Sequence, residues 1–287
     1  MNIGVRCNPL KLKNDFAALT AWLAANDFDS VDLMSPDPEL KAVVEEAGLA
    51  PGSFDSPHVG TLIVDDREQA DSAAAALKDD LNRAADLGLT TLFACFVPVD
   101  KTKPKAENFD LWKRVVPDIA AHAERLGVTI AMEPWPGTAP HYATLGTTPE
   151  MWRAMFDAAG SPALGLCYDL SHMVRLGVDY VRVLDEFGER IHHVHAKDCA
   201  ILPDQLYLQG RMPPALGKPQ YVCSEGWWRY CIPGDGAVDW HTVTQRLHAL
   251  GYTGAFSIEL EDHFYMADMD ANREGLLKAR NYLRSLG

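Results

Sequence analysis

Four residues between positions 133 and 259 have the types and settings for metal-assisted acid–base chemistry. Each stands where a short apolar run ends: Ile130-Ala131-Met132-Glu133, Leu166-Cys167-Tyr168-Asp169, His193-Val194-His195-Ala196 and Ser257-Ile258-Glu259. Singly, each reads as a polar residue where a strand runs out into water. Together, three carboxylates aimed at one small volume repel one another unless they are protonated or bridged by a cation. A divalent ion resolves that conflict. Three oxygens and one imidazole favour a hard or borderline metal such as Mn²⁺, Mg²⁺ or Co²⁺, with Zn²⁺ also open.

Convergence of these residues requires a fold that brings strand ends to one place. A repeated phrase supplies it: an amphipathic helix, a glycine stop, then a short β-rich run, as in Glu46-Ala47-Gly48-Leu49, Asp86-Leu87-Gly88-Leu89, Arg125-Leu126-Gly127-Val128 and Ala249-Leu250-Gly251-Tyr252. Glycine suits the position after a helix because it enters the left-handed region without a Cβ clash. Eight strands are expected on this pattern: Asn2–Arg6, Ser30–Met34, Ala50–Phe54, Thr91–Phe96, Thr129–Glu133, Leu164–Tyr168, His192–Ala196 and Ala255–Glu259. Helices are expected between them, including one over Asp66–Leu87 and one over Pro149–Ala159 with Thr148 as its cap. Eight alternations fit an α/β fold of the (β/α)₈ barrel type, one domain over residues 1–287, whose strand C-termini converge on the catalytic face. The competing doubly wound open sheet would be expected to carry GxGxxG or a P-loop, and neither occurs.

One connection breaks the rhythm. About forty residues, 198–239, separate the seventh strand from the next helix, and they carry Tyr207, Tyr221, Trp227, Trp228 and Tyr230. So long and aromatic a segment reads as a lid inserted between strand seven and helix seven.

Composition narrows the possible partners. The 287 residues are 47% hydrophobic and 23% charged, and 26 basic against 40 acidic side chains give a net charge of −14. An acidic chain without a Lys/Arg run suits neither a nucleic-acid backbone nor an anionic membrane surface. No stretch approaches a membrane span, and no secretory signal is expected at Met1-Asn2-Ile3-Gly4-Val5-Arg6. Six cysteines without a CxxC pair read as free thiols of a reducing compartment, so a cytoplasmic location is expected.

The chain resembles the xylose isomerase-like barrel superfamily, and within it the sugar phosphate isomerase/epimerase branch. The resemblance covers nearly the whole sequence and rests on Phe28-Asp29-Ser30-Val31-Asp32-Leu33, Glu133, Asp169-Leu170-Ser171-His172, His195-Ala196-Lys197-Asp198 and Glu259. It implies that Glu133, Asp169, His195 and Glu259 ligate one divalent ion, with Mn²⁺ expected first. It also implies that Glu133 and Glu259 act as the acid/base pair of a keto-sugar isomerase or epimerase working through an enediolate. Around them, His172, one short turn past Asp169, and Lys197, on the same strand face as His195, are candidate catalytic groups, as is His58 after strand three. Trp135, Trp228 and Arg229 are candidate substrate contacts.

The sequence departs from the ketose 3-epimerase pattern, which has a second Glu and an Arg where this chain has Ala139 and Ile201. A lyase, dehydratase or C-glycoside deglycosidase, which enolises a 3-keto-glycoside and then expels a β-substituent, is therefore the second reading. Abasic-site endonucleases share the barrel, but they need more histidines and a basic groove. The expected partners are a small sugar and further copies of the chain in a dimer or tetramer, or a second subunit if the protein is a deglycosidase.

Overall fold

A computed structural model describes residues 1–287. All eight expected barrel strands form, within two residues of their expected ends. They are β1 (Asn2–Val5), β2 (Ser30–Leu33), β3 (Ala50–Phe54), β4 (Thr91–Ala94), β5 (Thr129–Met132), β6 (Leu164–Asp169), β7 (Ile191–Ala196) and, last in the chain, β10 (Ala255–Ile258). They close a parallel barrel in the order β1-β10-β7-β6-β5-β4-β3-β2. Strands such as β2, β6 and β10 are buried throughout, so their side chains face either the barrel interior or the helical layer. The remaining two strands, β8 (Asp198–Ile201) and β9 (Trp228–Cys231), pair antiparallel as a separate ribbon.

The helix boundaries follow local chemistry. Asp66 caps the long helix Arg67–Asp86 by accepting from the Gln69 amide at 3.0 Å. The helix Val116–Leu126 stops at Gly127, whose φ of 69° is the left-handed conformation that glycine tolerates best. Pro149 opens the helix Pro149–Ala159 as expected, but Thr148 makes no side-chain cap, so Pro149 at the first turn supplies the start signal instead. All six cysteines are unpaired thiols, and no helix is long and apolar enough to cross a membrane.

The barrel interior carries a polar layer below the mouth. Asp32 accepts from the Ser53 amide at 2.8 Å and the Ser257 hydroxyl at 2.6 Å, and pairs with His193 Nε2 at 3.3 Å. Its carboxylate lies so close to the β3 backbone that a Cβ on Gly52 would come within 2.2 Å of it, so only glycine fits there.

The connection over residues 198–239 differs from a bare loop. It contains β8, a helix at Pro203–Gln209 and β9, and its Trp227, Trp228 and Tyr230 pack with Cys199 into an apolar cluster apart from the main core. Asp198 ties both ends of the insertion together. This fully buried carboxylate accepts from the amides of Cys199 (2.7 Å), Val238 (3.1 Å) and Gly234 (3.2 Å) and from the Trp240 indole (2.9 Å). Replacing Asp198 with Ala strands four donors at once, three of them buried. Urea unfolding followed by tryptophan fluorescence is expected to show a loss of about 3 kcal/mol, against under about 0.5 kcal/mol for the exposed Asp270→Ala.

Candidate metal centre and active site

The four strand-end residues converge. One ligand atom from each of Glu133, Asp169, His195 and Glu259 lies within 4.8 Å of the others. His195 Nδ1 is 2.9 Å from Glu133 Oε1, 3.3 Å from Glu259 Oε2 and 3.6 Å from Asp169 Oδ2. Asp169 is aimed by its own backbone context. Its Oδ1 accepts from the amide (2.9 Å) and hydroxyl (2.6 Å) of Ser171, capping the helix Leu170–Leu176, which turns Oδ2 into the cluster. That Oδ2 is buried and lacks a hydrogen-bond partner, because Lys197 Nζ, 3.1 Å away, lies off the angle for one. An orphaned carboxylate oxygen among three further donors fits a divalent cation.

The protein's own positive groups offset part of the charge. Lys197 is buried, contacts Glu259 Oε2 and donates to Glu261 Oε2 at 2.9 Å. Burial alone would lower its pKa, but Asp169, Glu259 and Glu261 around it hold the ammonium well above its ordinary value. Burial would raise the Glu133 carboxyl, yet hydrogen bonds from His172 and His195 hold it well below the usual carboxylate range. Lys197 is therefore a fixed positive charge, and Glu133 is ionised.

His172 is set by the insertion. Its Nδ1 lies 2.7 Å from the Tyr230 hydroxyl, whose oxygen also accepts from Arg175 Nη1 at 3.1 Å. His172 Nε2 lies 3.4 Å from both Lys197 Nζ and Asp169 Oδ2 and 3.7 Å from Glu133 Oε1. Arg175 in turn pairs with Glu225 and donates to the Gly137 carbonyl at 3.1 Å. Glu225 accepts from the Tyr142 hydroxyl at 2.7 Å.

A family model described as xylose isomerase-like TIM barrel matches residues 14–286. The chain belongs to that family. Among curated relatives of the barrel, the inosose dehydratase of Geobacillus thermodenitrificans is 33% identical over 138 residues, 48% of this chain and 43% of that protein. The chain thus spans under half the length of the curated relatives it matches first. Solved xylose isomerase-like barrels share the fold across the whole chain. D-psicose 3-epimerase from Clostridium cellulolyticum H10 has a TM-score of 0.71 at 17% identity, covering 100% of this chain and 99% of that one. The 3-keto-D-glucoside 4-epimerase of E. coli has a TM-score of 0.70 at 15% identity, covering 99% of each.

Of the other candidates, His172 and Lys197 join this cluster, and Trp135 sits half-buried two residues past Glu133. Three do not join it. His58 turns outward, with Nε2 3.9 Å from Asp80 on the helix Arg67–Asp86, because Ser56 caps the 3₁₀ turn Pro57–Thr61. Arg229 faces the buried Asp262 at 3.3 Å and lies over the Phe264 ring. Trp228 is buried under the Arg175 guanidinium, 4.2 Å from its ring, and its Nε1 points to Glu225 at 3.4 Å. These two side chains hold the insertion to the barrel.

Tyr230, Glu261, Arg6 and Asp55 were not singled out from sequence as site residues. Glu261 had a readable signal, because it follows Glu259 by two residues. Arg6 and Asp55 did too, standing just after β1 and β3 where the rule applied to the last four strands would have found them.

Two outcomes test the centre. Mn²⁺ at 100 times its Kd is expected to stabilise the protein by about 2.7 kcal/mol in thermal melts, reversed by a chelator, and Asp169→Asn is expected to abolish the effect. Tyr230→Phe is expected to keep the Mn²⁺-induced stabilisation but lower kcat about tenfold by leaving His172 unaimed, whereas Tyr207→Phe at the exposed rim changes neither.

Proposed function

We propose that the chain is a divalent-metal-dependent enzyme that removes and returns a proton beside the carbonyl of a polyhydroxylated ketone, with epimerisation or isomerisation as the outcome. The observation that carries this reading is the pair Glu133 and Glu259. They follow β5 and β10, three strand steps apart around the mouth; His195 reaches both, while His172 stands beside Glu133 and Lys197 contacts Glu259. One carboxylate can take the proton on one face while the other, once it has picked up a proton, delivers one on the opposite face. When bound by Glu133, Asp169, His195 and Glu259, a divalent cation, with Mn²⁺ the first to try, supplies Lewis acidity that acidifies the C–H beside the carbonyl. Lys197 holds its proton and contributes a fixed positive charge beside Glu259. His172, aimed by Tyr230, stands beside the acid cluster, where it can hydrogen-bond a substrate oxygen.

The likeness to inosose dehydratase favours a second reading, in which the same C–H abstraction is followed by loss of a β-substituent. The electron pair left on carbon then forms a C=C bond as the C–O bond breaks. The carboxyl that took the proton gives it to the departing oxygen, which His172 can hydrogen-bond, and the net loss is water, or an aglycone where the substrate is a glycoside.

Incubation with Mn²⁺ in D₂O and a panel of neutral ketones (2-keto-myo-inositol, D-fructose, a 3-keto-glucoside) separates the outcomes by NMR and mass spectrometry. Deuterium at the carbon beside the carbonyl with no other atom lost supports epimerisation or isomerisation; loss of water or aglycone supports the second reading. No exchange with any ketone overturns both. Glu259→Gln is expected to fold normally and to slow exchange at least about 100-fold.

A further inference from the structure

The acid cluster occupies only half of the barrel mouth. The other half, after β1 to β4, lines a cleft of about 490 Å³ that includes Arg6, Met34, Asp55, Phe93 and Cys95, a size suited to a small polar ligand. Backbone register joins the two halves. Val5 pairs with Ile258, and the Arg6 amide donates to the Ile258 carbonyl at 3.0 Å, so Arg6 stands beside Glu259 at the same height. The Phe93 ring bridges the halves as well, stacked on His195 with centroids 5.2 Å apart and carrying the Arg6 guanidinium 4.1 Å from its centre.

Arg6 and Asp55 form a two-pronged pair, Nη1 to Oδ1 at 2.7 Å and Nη2 to Oδ2 at 3.1 Å. The guanidinium side chain is 6% exposed and the carboxylate 28%, so the cleft meets Asp55 backed by Arg6. The Arg6 Nε–H is buried without an acceptor, an unused donor on the same group. We propose that Arg6 and Asp55 form a subsite that binds neighbouring hydroxyls at the end of the substrate remote from the reacting carbonyl, and so restricts the enzyme to neutral polyhydroxylated ketones.

This rests on the reading above, in which the ketone end sits at the acid cluster. The chemistry follows from the pair itself. Hydroxyl groups can donate to the part-exposed Asp55 oxygens, which the Arg6 fork fixes from behind, and bonds to charged partners are the stronger kind. The pair carries no net charge, and a phosphate or carboxylate entering the cleft would meet the Asp55 charge first. A sugar phosphate or sugar acid is therefore disfavoured where a neutral polyol is not.

Calorimetry on the Mn²⁺-loaded protein tests the subsite by binding, apart from turnover. The probes are 2-keto-myo-inositol, D-fructose and D-fructose 6-phosphate. Wild type is expected to bind at least one of the neutral ketones at least tenfold more tightly than the phosphate. Asp55→Asn, which keeps the shape and removes the charge, is expected to weaken neutral binding at least tenfold and to narrow the gap to the phosphate. Arg6→Lys, which keeps the charge and loses the fork, is expected to weaken neutral binding as well. Melting temperature and Mn²⁺ binding of both variants report that the fold and the acid cluster persist. Preference for the phosphate, no binding of either neutral ketone, or variants that keep wild-type discrimination while folded overturns the subsite. Discriminating binding without deuterium exchange keeps the subsite and overturns the catalytic reading; exchange with unchanged binding in both variants does the reverse.

Discussion

Crowding of negative charge at one end of the barrel is the constraint on which the remaining arrangement depends. Glu133, Asp169 and Glu259 share a volume a few ångströms across, and Glu261 stands behind Lys197. Like charges so close raise one another's cost of ionisation unless positive groups intervene. Lys197 supplies part of the offset, and the orphaned Asp169 Oδ2 marks where the protein leaves the remainder to a cation. Such a cluster needs rigid staves. The β6–β7 register sets Asp169 opposite His195, and the β10–β7 register sets Ser257 opposite His195, which places Glu259 at the rim.

The insertion acts on that cluster more as a wall than as a detachable flap. Tyr230 aims His172, Arg175 braces Tyr230, and Glu225 braces Arg175 while accepting from Tyr142 in the connection after β5. Each link is a charged or polar group whose burial is tolerable only because the next one satisfies it. Asp198 then secures the base of the insertion to Trp240 and the neighbouring amides. The aspartate that closes the His195-Ala196-Lys197-Asp198 run is thus structural, although its neighbours in that run face the site.

The parts of this architecture that were legible in sequence are those governed by short-range pattern. Apolar runs between glycine stops marked all eight staves, and Glu133, Asp169, His195 and Glu259 were visible as the polar residues where four of those runs end. Arg229, Trp228 and His58 lie apart from the acid cluster because what decides their direction is a partner that local pattern does not reveal. Asp262 lies 33 residues from Arg229 and is fully buried, so it demands a cation. Trp228 is covered by Arg175 from another helix, and His58 faces Asp80 on the helical layer. Trp–Arg–Tyr in an insertion resembles a sugar-binding surface and an internal brace equally well until the acids are placed. Arg6 and Asp55 escaped notice for a different reason: a strand-end arginine at the start of a chain looks like solvent-facing charge until closure of the sheet seats it beside β10.

That closure ties substrate recognition to chemistry. The β1–β10 seam is the last contact the barrel makes, pairing residues more than 250 positions apart, Val5 with Ile258. A shift of one residue along this seam would turn Arg6 out of the cleft and move it away from Glu259, because side chains alternate along a strand. The two halves of the mouth also solve their charge differently. On the β5–β10 side the acids exceed their partners and require an added cation. On the β1–β4 side Arg6 cancels Asp55, so the pair needs none. A ligand spanning the mouth therefore meets strong polarisation at one end and neutral hydrogen-bonding groups at the other. That asymmetry orients a polyhydroxylated ketone with its carbonyl towards the acids before any proton moves.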